Sequence, residues 1–130
     1  MNNIKLLGTV VSIKANYSCV EINLSDQNTP IDSLSLSSAM PNKIRLLATC
    51  RSKLNYYGEY PKVGDLVVVE EIDLNILRAS ISEIKPRNNL LLRPAIANIS
   101  KIFITLSLDE PLLDLEQANR FLLTAEQIDV

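Results

Sequence analysis

Histidine and tryptophan are both absent from this 130-residue chain. Without an imidazole, the usual general base near neutral pH and the commonest nitrogen ligand of zinc are missing. The two cysteines, Cys19 and Cys50, stand apart in apolar-rich runs. That spacing offers no clustered thiolate site, and no histidine base is at hand to activate Cys50 as a nucleophile. Both read as small core residues of a reduced compartment. Glycine is scarce as well, at positions 8, 58 and 64, and none precedes Lys-Ser or Lys-Thr, so no phosphate-cradling loop is encoded. Long apolar runs are missing, and Met-Asn-Asn-Ile-Lys does not start a signal peptide. These absences lead us to expect a soluble, cytoplasmic protein with no membrane partner.

Apolar residues make up 47% of the chain, enough for a core, while the nine prolines and glycines are too few for wholesale disorder. The net charge of −2 hides an uneven distribution. Residues 43–93 carry nine basic and six acidic groups, whereas residues 94–130 carry two and six. A basic middle permits a local anionic partner without demanding one. Adjacent Glu70 and Glu71 on a strand point to opposite faces, which excludes an acid/base pair. Asp109, Glu110, Asp114 and Glu116 read as a solvated turn and a favourably charged helix start rather than a metal site.

Ile4–Ile13 reads as a first strand, with a bend or bulge suggested by Gly8. Ser18–Leu24 alternates and pairs with it. Residues 25–42 read as a long surface loop. Ile44–Cys50 is a third strand, 51–62 a polar connection, Leu66–Ile72 a fourth strand and Ala79–Ile84 a fifth, ended by Pro86. Five short strands with turns between them predict a mainly β fold, a small closed or partly open barrel. An OB-fold is the first choice and an SH3-type barrel the structural rival. Lys101–Leu106 then reads as a buried strand, and Asp114 with Gln117 has capping-box spacing for a helix near Leu115. Its expected apolar stripe is Leu115, Ala118, Leu122 and Ala125, widened by Phe121. Strand followed by helix signals the start of an incomplete α/β domain.

Four pieces recur in order: Cys50-Arg51-x-Lys53, Val63-Gly64-Asp65, Pro86-Arg87-Asn88-x-Leu90 and Arg93-Pro94-x-x-Ala97-Asn98. In this order and spacing the chain resembles the N-terminal part of the ribosome small-subunit-dependent GTPase A family, circularly permuted GTPases of small-subunit maturation. The resemblance implies an OB-fold over residues 1–92, and a linker with the truncated start of the GTPase domain over 93–130. It implies the small ribosomal subunit and its rRNA as partners, and a monomer when complete. GTP, Mg2+ and a structural Zn2+ are implied for the complete protein. None of these is expected to be bound by this chain, which has no Asn-Lys-x-Asp for guanine. The expectation is therefore a fragment whose catalytic machinery lies on other residues. The 25–42 loop is longer than the family pattern, and Arg93-Pro94-x-x-Ala97-Asn98 reads as a fixed linker.

Recognition is the chemistry left. Small barrels bind nucleic acid with cations that follow phosphates and aromatic rings that stack on bases. The phosphate candidates are Arg45, Arg51, Lys53, Lys62, Arg87 and Arg93. The stacking candidates are Tyr56, Tyr57 and Tyr60, with Tyr17 in the first turn. The sequence leaves this open against an ordinary charged surface with tyrosines covering the barrel end. A free-standing OB-type nucleic-acid- or protein-binding module without enzymatic activity is the alternative function.

Overall fold

The computed structural model describes residues 4–26 and 42–130. Five strands close into a barrel: β1 (Leu6–Lys14), β2 (Tyr17–Asn23), β3 (Lys43–Cys50), β4 (Leu66–Asp73) and β5 (Arg78–Ile84). Around the barrel the order is β1-β2-β3-β5-β4, and β4 returns to pair with β1. All neighbours are antiparallel except β3 and β5, which run parallel from Leu47↔Arg78 to Cys50↔Ile81. This is the OB-fold topology expected from the sequence.

Alternation builds the interior. Val10, Val20, Ile22, Leu46, Val67, Val69 and Ile81 are all fully buried, while their neighbours along each strand face outward. Each such side chain contributes about 1.5–3 kcal/mol by leaving water. Gly8 shares the inward face of β1 with Leu6 and Val10, because a Cβ there would run into the Val20 side chain. The irregularity in β1 lies further along, between Val10 and Ser12.

Several expected elements differ. The 51–62 connection contains a one-turn helix, α1 (Ser52–Tyr56), which places Leu54 in the core cluster. It has no side-chain cap and too few residues to show a helical period, so nothing in the sequence marks it. Residues 24–26 form a 3-10 turn, and 27–41 of the predicted 25–42 loop lie outside the described residues. Glu70 and Glu71 do not diverge onto opposite faces. Glu71 has φ +52 beside a register shift in β4, and Arg51 reaches both carboxylates.

Beyond the barrel, β6 (Leu90–Leu92) and β7 (Ala95–Ala97) form a two-stranded ribbon turning at Arg93 and Pro94, whose peptide bond is cis. The strand predicted at 101–106 does not form. A strand needs a hydrogen-bonded neighbour, and no described strand pairs with this run. Helix α2 (Leu115–Gln127) does form, and the Asp114 carboxylate caps it by accepting from the Glu116 and Gln117 amides at 3.0 and 3.1 Å. Of its expected stripe only Ala118 is buried, while Leu115, Phe121 and Leu122 stay exposed. Among the described residues no helix is long and apolar enough to cross a membrane.

Candidate nucleic-acid interface

The four sequence pieces meet in two places. Val63-Gly64-Asp65, Pro86-Arg87-Asn88 and Ala97-Asn98 converge on one hydrogen-bonded hub. Asp65 is completely buried and accepts from Arg87 Nε and Nη2, both at 2.7 Å, and from the Lys62 amide at 2.7 Å. The carboxylate beside it raises the Arg87 pKa still further above the usual guanidinium value. Arg87 Nη2 also donates to the Tyr60 carbonyl at 3.1 Å, tying the α1–β4 connection to the chain that leaves β5.

Gly64 sits at φ +90 with its amide on the Val10 carbonyl at 2.8 Å, and a Cβ there would strike the Ala97 carbonyl oxygen. Only glycine fits that approach. Ala97 donates to the Val63 carbonyl at 2.7 Å, and Asn98 Nδ2 to the Gly64 carbonyl at 2.9 Å. Asn98 Oδ1 accepts from the Asn88 amide at 2.8 Å, and Asn89 bonds both the amide and the carbonyl of Ile99. The ribbon is thereby bolted to the barrel.

The predicted cations divide by partner. Arg45 pairs with Glu21 at 3.0 Å, and Lys43 joins them at 3.6 Å. The Arg45 bond, followed by the Lys43 charge, lowers the Glu21 pKa. Arg51 holds Glu70 at 2.6 Å and Glu71 at 3.5 Å, and Lys5 adds a second contact to Glu70 at 3.0 Å. The Lys5 hydrogen bond, with Arg51 nearby, lowers the Glu70 pKa. Arg87 is committed to Asp65. Lys53, Lys62 and Arg93 have no carboxylate partner among the described residues.

Of the predicted rings, Tyr57 and Tyr60 are exposed in the α1–β4 connection, and Tyr17 is exposed at the start of β2. Tyr56 ends α1, and its side chain falls outside the described atoms. A cleft of about 720 Å³ joins these regions. It lies between the β1–β2 turn and the α1–β4 connection and brings together Tyr17, Tyr60 and Lys62 with the amides of Asn16 and Asn55. Arg45, Arg51, Lys53, Tyr57, Arg87 and Arg93 do not line it.

Sequence reasoning missed one contributor, Arg78. Its guanidinium lies 4.7 Å above the Tyr17 ring centroid, close enough for a cation–π contact. The only signal was a cation opening β5. The pairing depends on β3 running beside β5, which a linear pattern does not display.

Comparison with known proteins follows the same outline. The small ribosomal subunit biogenesis GTPase RsgA of Prochlorococcus marinus strain NATL2A is 48% identical over 125 residues, covering 94% of this chain and 38% of that protein. The protein of the same name from Synechococcus sp. strain CC9311 is 42% identical over 120 residues, covering 92% and 35%. Among solved structures, YjeQ from Thermotoga maritima superimposes with a TM-score of 0.72 at 22% identity, over 96% of this chain and 38% of that one. YloQ, described as a circularly permuted GTPase, gives 0.68 over 97% and 38%. No family model matches the chain. The resemblance seen in the motifs therefore holds across nearly the whole sequence, and the solved structures share the fold. The chain spans a little over a third of the length of these relatives.

Proposed function

We propose that this chain is the RNA-binding front of a protein that assists maturation of the small ribosomal subunit, and that it contacts small-subunit rRNA through the cleft beside the β1–β2 turn. In this reading residues 1–92, which contain the barrel strands β1–β5, are the binding part, and 93–130 lead into the GTPase domain. The observation that carries this reading is the meeting of Tyr17, Tyr60 and Lys62 at one concavity of an OB-type barrel. OB-folds bind oligonucleotides at the β1–β2 and β4–β5 turns with stacking rings and cations. The names of the relatives assign them to small ribosomal subunit biogenesis, which supports an RNA partner for the cleft.

The groups implied for the complete protein do not fit the residues present. Gly8 lies against Val20 and Gly64 against Ala97, and Gly58, though open at φ +70, leads into Glu59, Tyr60 and Pro61 with no Lys-Ser or Lys-Thr to hold a phosphate. Among the described residues no three His, Cys, Asp or Glu side chains converge on a metal position. In this reading GTP, Mg2+ and Zn2+ are handled by other residues of a longer polypeptide, and this chain contributes binding alone.

Co-sedimentation of the purified chain with isolated ribosomal subunits tests the proposal. Recovery with the small and not the large subunit is expected. Equal recovery with both, or with neither, contradicts it.

A further inference from the structure

The cleft differs from two other concavities formed by the described residues in what it leaves out. The hollow beside β5 is lined by Glu59, and the one across β1 and β4 by Glu21. The cleft between the β1–β2 turn and the α1–β4 connection contains no carboxylate. Its volume falls within the roughly 300–1,000 Å³ of ordinary small-ligand sites. Its walls combine the Tyr17 and Tyr60 rings with buried Pro61, and the Asn16 and Asn55 amides supply both donors and acceptors.

Resting on the RNA-binding reading above, we propose that this cleft takes a single unpaired nucleotide extruded from its RNA, rather than the groove of a helix. Three features argue for that ligand class. A concave pocket with aromatic walls matches the face of one base, whereas bases inside a duplex are stacked on their neighbours and present only edges. Arg78 covers one side of Tyr17 and anchors that ring for stacking on its other side. Lys62 is the one cation in the lining, which balances a single backbone phosphate and leaves a di- or triphosphate without counter-charge. The Asn16 and Asn55 amides then have the chemistry to read base edges.

The test uses the 130-residue chain with two RNAs of equal nucleotide number and charge, one an unstructured strand and one a blunt-ended duplex stem without a loop. Intrinsic tyrosine fluorescence, unmasked by any tryptophan and corrected for absorption by the RNA, reports binding. Amide chemical shifts locate the contact. The single strand should bind at least about ten-fold more tightly than the stem, with shifts at Asn16, Tyr17, Asn55 and Tyr60. Tyr17→Ala and Tyr60→Ala should each weaken it about five- to one-hundred-fold, the range for loss of one base stack. Tyr17→Phe keeps the ring and should restore binding. Equal affinity for strand and stem overturns the inference. So do shifts confined to other surfaces, or no single-strand binding up to about 1 mM, weaker than ordinary non-specific association. If the chain still sediments with small subunits and the shifts stay at the cleft, the proposed function stands and only the ligand class falls; shifts confined to other surfaces remove the cleft from the proposed function as well. If sedimentation also fails, both fall.

Discussion

Arg87 grips Asp65 through both carboxylate oxygens at 2.7 Å, and Asp65 is wholly buried while the Arg87 side chain keeps 29% of its exposure. This pair holds the α1–β4 connection against the chain leaving β5, so a residue named as a phosphate candidate has a structural role beside the cleft residue Tyr60. Arg87→Ala leaves a buried carboxylate without its counter-charge, a change that costs about 3–5 kcal/mol. Urea unfolding should show that loss, and Arg87→Lys should recover only part of it, because an ammonium cannot reproduce the two-pronged contact. A stability within 1 kcal/mol of the parent, on the order of an ordinary surface change, would contradict this role.

Gly64→Ala should be among the most damaging single-methyl changes in the chain. The left-handed backbone alone costs on the order of 1–2 kcal/mol for a residue with a Cβ, and the Ala97 carbonyl blocks the space the methyl needs. Exchange should speed up at the Ala97 backbone N–H and at the Asn98 side-chain amide, whose hydrogen bonds to the Val63 and Gly64 carbonyls would open. Unchanged protection at those two sites would mean the ribbon is held by something else.

Acid should weaken the barrel through two carboxylates. Glu21 and Glu70 have folded-state pKa values below the ordinary 4.5, so their ion pairs are fully present above pH 4.5 and are lost as pH falls through the lowered values. The melting temperature should hold level from neutral pH to about 5 and decline below that. Glu70→Gln should flatten part of the decline, because Lys5 and Arg51 then lose the charge they answer. An identical decline in the variant would remove Glu70 from the account.

Residues 99–130 should exchange their amides faster than β1 and β4. In α2 only Ala118 is buried, and Phe103, Leu108, Leu112 and Leu115 remain exposed. Few buried apolar contacts mean a low cost of local opening. Equal protection in a monomer would contradict this.

The barrel was legible because its strands alternate and its turns are marked. Helix α2 was legible because Asp114 and Gln117 announce its cap. The site was legible only in part. Tyr17, Tyr60 and Lys62 were named as candidates, but their convergence depends on the closure that sets the β1–β2 turn beside the α1–β4 connection. Arg45, Arg51 and Arg87 look alike in sequence, and only the fold shows Glu21, Glu70, Glu71 and Asp65 answering them. The ribbon was read as a linker because three-residue strands carry no period. The strand expected at 101–106 has the right composition, yet composition supplies no neighbour.

The salt dependence of small-subunit binding tests the central claim most directly. Lys62→Gln removes the cation that lines the cleft, and Lys53→Gln a cation of α1 that has no carboxylate partner among the described residues. Their combined variant should lower the slope of log affinity against log salt by about 1.4–1.8, roughly 0.7–0.9 for each lost phosphate contact. Arg45→Gln, whose charge Glu21 already answers, should leave the slope nearly unchanged. A double lysine variant that folds and binds with the parent's affinity and slope would place the RNA contact elsewhere and contradict the account.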